Sequence, residues 1–440
     1  MKTSTAVSVL ALVAAATLAA CARDDSNTEQ PSGSDTEQSY DVKEARSSLQ
    51  RDRSPNVDPA TVAKVTRDAA SFGLDLHKQL VNGKAKGKNL FYSAHSVSSA
   101  FAMLYAGARG ATAEEIAKVL HFTVPQNELH PAMNKVALEL ESRAADGGQG
   151  SDGKGFRLNM DNSFWGEQTT SWEAPFLDTL AVHYDAGIKL VDFIQQAETA
   201  RLRINAWAEK KTEGRIKELL PASLEPKTRF VLVNTVYFNA AWLEPFESTT
   251  MSFRKPDGNA EVAAIQRTSD SFRWAQTEDA ELVAVPYEGR NLELVVVVPT
   301  DLEAFEAKLD GTLLDSIISQ LEPAYVDLTM PKVRIEGATI SLKDELIALG
   351  MTTTFAKADF SGMARESLAV SDVAHQAFVK LNEKGTEAAA ATAVVGVKTS
   401  APAEPAKQVL VDKPYLFFVR DVPTGAVLFT GRVLAPTYEE

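Results

Sequence analysis

Six histidines, one cysteine and one glycine-rich loop are the residues of this chain whose types could do chemistry on their own. His77, His95, His121, His130, His183 and His375 show no metal-ligand spacing, and no His-Glu-x-x-His run occurs. Gly148-Gln-Gly-Ser-Asp-Gly-Lys-Gly155 approaches a phosphate-binding loop. Its last position is glycine, where such a loop needs a hydroxyl for magnesium, and it follows a helical pattern instead of a strand. It therefore reads as a flexible surface loop. No Gly-x-Ser-x-Gly elbow marks a nucleophile, although a Ser-His-Asp triad assembled by folding would leave no local trace. These residues point to no metal and no cofactor.

The cysteine is informative by position. Lys2 supplies a positive start, Val7 to Leu18 is an apolar run too short to span a membrane comfortably, and Leu18-Ala19-Ala20-Cys21 follows. This is the pattern of an export signal, residues 1–20. Leu-Ala-Ala-Cys also resembles the bacterial lipobox, in which the cysteine is acylated and becomes the new N-terminus. That resemblance implies lipidation at Cys21 and a cell-envelope lipoprotein. Ala22 in place of aspartate favours the outer membrane if the cell is Gram-negative. Residues 21–57 are polar and charged, and are expected to form a disordered tether.

The elements that must position any site follow. The charged fraction of 24% and apolar fraction of 45% suit a globular domain, and the net charge of −14 argues against a nucleic-acid partner. Asp58-Pro59 caps and starts a helix that runs to about Val81, and Asn82-Gly83 ends it. Ser96 to Tyr105 is a helix of small residues suited to a core. Thr112-x-x-Glu115 reads as a capping box. Helical patterns recur at 127–144, 171–184, 198–212, 310–321 and 341–349. Arg229 to Phe238 reads as a strand buried on both faces. Leu292–Val298, Val326–Met330 and Leu368–Leu381 are further strands, and Tyr415–Arg420 and Ala426–Arg432 form a hairpin around Pro423-Thr424-Gly425. Helices dominate early and strands late, with no repeat and no second linker. One α+β domain over 58–440 is expected.

One stretch fits no ordinary element. Residues 383–411 follow a strong strand and lack large anchoring side chains. A loop of this length inside a compact domain is usually functional or disordered. Inserted as a strand, it would place Thr386, Ala388, Ala390, Thr392 and Val394 on one face, all small and uncharged. Gly385, Glu387, Ala389 and Ala391 would share the other face.

Glu383-Lys-Gly-Thr-Glu-Ala-Ala-Ala-Ala-Thr392 resembles the hinge of inhibitory serpins almost residue for residue. The resemblance extends along the domain in order. Asn89-Leu-Phe-Tyr-Ser93-Ala-His-Ser96, Gly107-Ala-Arg-Gly110-Ala-Thr112, Ile204-Asn205-Ala-Trp207 and Thr212-x-Gly214-Arg-Ile216 come first. Leu232-Val-Asn234, Tyr237-Phe238, Trp242, Pro245-Phe246, Val285-Pro286-Tyr287 and Pro331-Lys332 follow. Leu349-Gly350-Met351, Asp359-Phe-Ser361-Gly362, His375-x-Ala-Phe378, Lys413-Pro414-Tyr415 and Phe429-x-Gly431-Arg432-Val433 complete it. Ala94-His95 departs from a proline-leucine pair, and Asn239-Ala240-Ala241 from lysine-glycine-lysine.

The resemblance implies a serpin fold: three β-sheets, about eight or nine helices and an exposed reactive-centre loop near 383–411. It implies a serine-protease inhibitor, and not an enzyme, that acts as a suicide substrate by loop cleavage, acyl-enzyme formation and loop insertion into the central sheet. The hinge would comprise Glu383, Gly385, Thr386, Glu387, Ala388, Ala389, Ala390, Ala391 and Thr392. Ser93, Ser96, Asn234 and His375 match the bonded cluster beneath the sheet that must part. Trp242, Lys332 and Glu383 match the point where insertion begins, with a Lys332–Glu383 ion pair expected. Family spacing puts the cut bond at Thr399-Ser400, which suits an elastase-like or subtilisin-like protease. A shift by one residue, to Lys398-Thr399, would suit a trypsin-like one. The partner would be that protease in a covalent complex with a monomeric chain, and the membrane would be reached only through lipid. A non-inhibitory binding or storage role and a hydrolase with an unrecognised triad are the alternatives.

Overall fold

A computed structural model describes residues 42–439 apart from 147–149, 153, 221–223, 225–227, 337–338 and 387–404. Cys21 and Glu387, Ala388, Ala389, Ala390, Ala391, Thr392, Lys398, Thr399 and Ser400 lie outside the described residues.

The helices are α1 (Pro59–Asn82), α2 (Ala94–Gly107), α3 (Gly110–Val119), α4 (Gln126–Asp146) and α5 (Ala174–Tyr184). They continue with α6 (Ala197–Lys211), α7 (Leu302–Lys308), α8 (Gly311–Ser319) and α9 (Lys343–Ala348). Asp58 caps α1 by accepting the Ala60 N–H at 2.8 Å, with Pro59 supplying the preset first turn. In α2 nearly every residue is buried, because alanine, serine and glycine let it lie deep against the sheets.

The largest sheet runs in the order β1 (Glu44–Ala45), β4 (Ile188–Val191), β3 (Arg157–Glu167), β5 (Phe230–Ala241), β16 (Gly385–Thr386), β15 (Val373–Asn382), β13 (Val333–Glu336). A short β14 (Ile340–Ser341) pairs with β15. β5 is buried along almost its whole length, as its mostly apolar run requires, with Asn234, Thr235 and Asn239 buried inside it. A second sheet runs β11 (Glu322–Pro323), β8 (Arg273–Gln276), β9 (Ala280–Pro286), β10 (Leu292–Pro299), β18 (Tyr415–Asp421), β19 (Val427–Val433), β2 (Leu90–Tyr92). A third runs β17 (Lys407–Leu410), β12 (Val326–Pro331), β7 (Gly258–Ser269), β6 (Glu247–Lys255). Three sheets with nine α-helices among the described residues make an α+β serpin fold.

Two local expectations are corrected. Residues 42–57, read as part of a disordered tether, lie on the folded body. β1 pairs with β4, the Asp52 N–H donates to Val182 O at 2.9 Å, and Arg51 reaches Asn134 Oδ1 at 2.8 Å and Glu141 at 2.5 Å. Composition alone counts charges and cannot see that Arg46, Arg51 and Arg53 have carboxylates waiting for them. Thr112 and Glu115 form no capping box either, because α3 begins at Gly110. The Thr112 hydroxyl accepts the Asp359 N–H at 2.8 Å, and Glu115 accepts the Thr353 N–H at 2.8 Å. Both side chains hold a distant loop to the helix.

Candidate functional site

The site is a line through the largest sheet, from the end of β5 down to the start of α2. β5 and β15 run parallel, with Asn234 level with His375. β3 lies antiparallel on the other side of β5 and sets Asn162 opposite Asn234. The Ser93 hydroxyl caps α2 by accepting the Ser96 N–H at 3.2 Å, which brings both serines beneath that row.

The bonding of this cluster is specific. The Ser93 N–H donates to His375 Nε2 at 3.1 Å, so that nitrogen must be bare. His375 Nδ1 then carries the proton and donates to Asn234 Oδ1 at 2.7 Å. The Asn234 amide donates to Ser96 Oγ and, at 2.6 Å, to Asn162 Oδ1. Ser93, Ser96, Asn234 and His375 are all almost wholly buried. Burial pushes the His375 imidazole down to about 4. A neutral ring that ties β15 to β5 and to α2 is a latch across the seam between the two strands.

At the top of the seam the strands are already parted. Gly385 pairs with Ala241 and Thr386 with Ala240 on one side, while Thr386 pairs with Leu381 and Gly385 with Asn382 on the other. Gly385 stands at φ +154°, and a Cβ there would lie 2.0 Å from the Ala240 carbonyl oxygen. Only glycine fits. The Thr386 side chain is buried, its Oγ1 lies 2.7 Å from the Tyr287 hydroxyl, and its carbonyl accepts from Ser151 Oγ at 2.8 Å. Asn239 Oδ1 in turn accepts the Ser151 N–H at 2.8 Å.

The turn before this strand is held by the expected residues. The Trp242 indole donates to Asn382 O at 2.8 Å and stacks on Tyr287 with ring centres 4.6 Å apart. The Trp242 N–H donates to Lys384 O at 3.0 Å, and the Phe246 N–H to Glu383 O at 2.7 Å. Lys332 Nζ lies 2.7 Å from Glu383 Oε2 and 3.0 Å from Ser248 Oγ. Burial alone would raise the Glu383 carboxyl. The Lys332 ammonium, with the turn backbone and Lys384, outweighs it and holds the carboxyl below its usual range.

The structure thus brings the two groups of site residues together at two levels of one seam. It adds Asn162, Ser151, Asn239, Tyr287 and Ser248, which carried no site role in the sequence. Tyr287 stood inside a quoted motif. Ser151 stood in the loop read as free surface, and it is instead buried against the hinge. Among the described residues no cluster of metal-ligating side chains occurs, and no helix is long and apolar enough to cross a membrane.

Three sheets, with a two-residue glycine-threonine strand seated between two strands of the largest, are the architecture of the serpin class. The family model described as Serpin (serine protease inhibitor) matches residues 67–436, and the chain belongs to this family. A serpin-like protein of Thermococcus kodakarensis is 34% identical, covering 83% of this chain and 84% of its own length. Serpin B6 of Macaca fascicularis is also 34% identical, covering 83% and 98%. The native structure of the thermophilic serpin tengpin superposes with a TM-score of 0.76 at 24% identity, over 90% of this chain and all of that one. Human thyroxine-binding globulin superposes at 0.73 with 26% identity, over 86% and 100%. Serpins are generally inhibitors that bind target proteases, and some are binding proteins.

Proposed function

We propose that this chain inhibits serine proteases as a suicide substrate. The observation that carries the reading is the hinge pair Gly385-Thr386, already paired on both sides between β5 and β15. Continued in the same register, the strand would bring Ala388, Ala390 and Thr392 in turn onto the buried face. Thr392 would come level with His375 and Asn234 on both neighbours at once. Every residue on that face is small and neutral, so none would be excluded by charge or size.

The chemistry is the protease's own. Its serine Oγ attacks the Thr399 carbonyl carbon, the Thr399–Ser400 amide breaks, and Ser400 leaves with a new amino terminus. The ester that links Thr399 to the protease persists if the loop is drawn into the sheet before water reaches it. Thr399 suits an elastase-like or subtilisin-like pocket, and a cut after Lys398 would suit a trypsin-like one. The protein is consumed and does not turn over.

The test mixes the protein with elastase-like, subtilisin-like and trypsin-like proteases and reads denaturing gels and mass spectra. A denaturant-stable adduct at the summed mass, with a released peptide beginning at Ser400, is expected. A peptide beginning at Thr399 moves the target to trypsin-like enzymes. Clean cleavage across the panel with no adduct would sink the inhibitory reading in favour of a binding or storage role.

The apolar run ending at Leu18-Ala19-Ala20-Cys21 supports export and acylation at Cys21, with a cell-envelope site, the outer membrane in a Gram-negative cell. Metabolic labelling with a radioactive fatty acid is expected to mark the protein in bacterial cells and to be lost in Cys21→Ala.

A further inference from the structure

The last residues of the chain lie against the mouth of the seam. The Arg334 N–H donates to Thr437 O at 2.7 Å, the Thr437 hydroxyl donates to Arg334 O at 3.2 Å, and Arg334 Nη1 donates to Glu439 O at 3.2 Å. These bonds dock residues 437–439 on β13. Between them stands Tyr438. The ammonium groups of Lys332 and Lys380 each lie 5.2 Å from the centre of its ring. Its hydroxyl accepts from Asn382 Nδ2 at 3.3 Å.

One ring therefore touches both groups that hold the hinge turn. Lys332 is the partner of Glu383, and the Asn382 carbonyl is the acceptor of the Trp242 indole. The Lys332 side chain is only 10% exposed. Such an ammonium needs a fixed electrostatic environment, and Lys380 brings a second positive charge to the same ring. The negative face of an aromatic ring offsets that crowding and orients each cation. A leucine at 438 could fill the space but could not orient a charge.

We propose that Tyr438 is a positioning residue for the hinge: it keeps Lys332 against Glu383 and Asn382 against Trp242, so that residues 383–386 stay seated until the loop is cut. The purpose of the seating rests on the inhibitory reading above. A strand that starts from a seated pair need only extend. A frayed turn must first re-form its start, and hydrolysis of the acyl-enzyme competes during that interval.

The experiment compares the full chain with Tyr438→Ala, Tyr438→Leu and Tyr438→Phe by two readouts. Hydrogen exchange of peptides covering 242–246 and 383–386 reports the turn in the uncut protein. The moles of protein consumed per mole of protease trapped report insertion. Tyr438→Ala and Tyr438→Leu are expected to speed exchange in those peptides by about three- to tenfold, with the rest of the domain unchanged, and to raise consumption. Tyr438→Phe keeps the ring over Lys332 and Lys380 but loses the hydroxyl that accepts from Asn382. It is expected to bring exchange in 383–386 and the consumption back near those of the unaltered protein, and to leave exchange in 242–246 between that of the unaltered protein and that of Tyr438→Ala. Unchanged local exchange in Tyr438→Ala, or leucine performing as well as tyrosine, would overturn the proposal. So would faster exchange across the whole domain, which is general destabilisation. If the unaltered protein traps no protease, the inhibitory reading fails, and the exchange data still decide the role of Tyr438.

Discussion

His375 carries a pH dependence with a definite sign. Its Nε2 accepts a backbone N–H, so a second proton would face a donor and break the bond. The folded-state value near 4 lies below the unfolded value of 6.5. Between the two, the unfolded chain binds a proton that the folded chain refuses. Stability from this group is complete above about pH 6.5 and is lost as pH falls towards 4, by on the order of 3 kcal/mol. Buried His95, near 4, and His130, near 3, act in the same direction. Denaturant unfolding between about pH 7.5 and pH 4.5 should show stability falling with acid, and less steeply in His375→Asn. No pH effect in either protein would mean that the ring is not buried neutral. The cluster's composition was legible as Ser93, Ser96, Asn234 and His375. Its fifth member, Asn162, was not, because an asparagine among polar neighbours in β3 carries no local sign of what lies opposite.

Among elements, helices were easier to read than strands. Periodicity marks α1 and α8 within a residue or two, a cap adds to it at α1, and in the structure Asp310 caps α8 by accepting the Leu313 N–H at 2.8 Å. The long strands β3, β6 and β7 mix polar and apolar residues, and their pattern becomes visible only beside the strands they pair with. The segment before α1 is the sharpest case. Arg46, Arg51 and Arg53 look like solvated charges, yet Asp185 and Glu141 receive them across α4 and α5. The Arg51 side chain is only 6% exposed. Arg51→Ala should cost about 1–3 kcal/mol, because Asn134 Oδ1 loses a charged donor and the segment loses its anchor. Urea unfolding measures this, and a change within error would mean that residues 42–57 contribute little to the fold.

For the whole molecule, the seam is the decisive feature. β5 and β15 pair directly at Val373–Ala377 and are separated above by a strand of only two residues. A longer inserted strand would add backbone bonds to β5 and β15 on both sides of the seam. If the loop inserts, its cleavage by any protease should therefore raise the melting temperature, by roughly 6–10 °C for a gain of about 5–8 kcal/mol in a domain of this size. Scanning calorimetry of cut and uncut protein is the direct measurement. Equal melting after complete cleavage would count against insertion.

The sequence by itself determined the family and the fold class, because ordered motifs over most of the domain are local strings that survive reading one residue at a time. It also determined that every second residue from Thr386 to Val394 is small and neutral, since alternation is a property of spacing alone. Tertiary structure decided how those residues meet. Only folding sets Thr386 between Tyr287 and Ser151, brings Asn162 to Asn234, lays residues 42–57 on α4 and α5, and carries Tyr438 to Lys332 and Lys380. Each of these contacts joins residues tens to hundreds of positions apart. Its energy depends on strand register and burial, which no stretch of sequence specifies until the sheets have assembled.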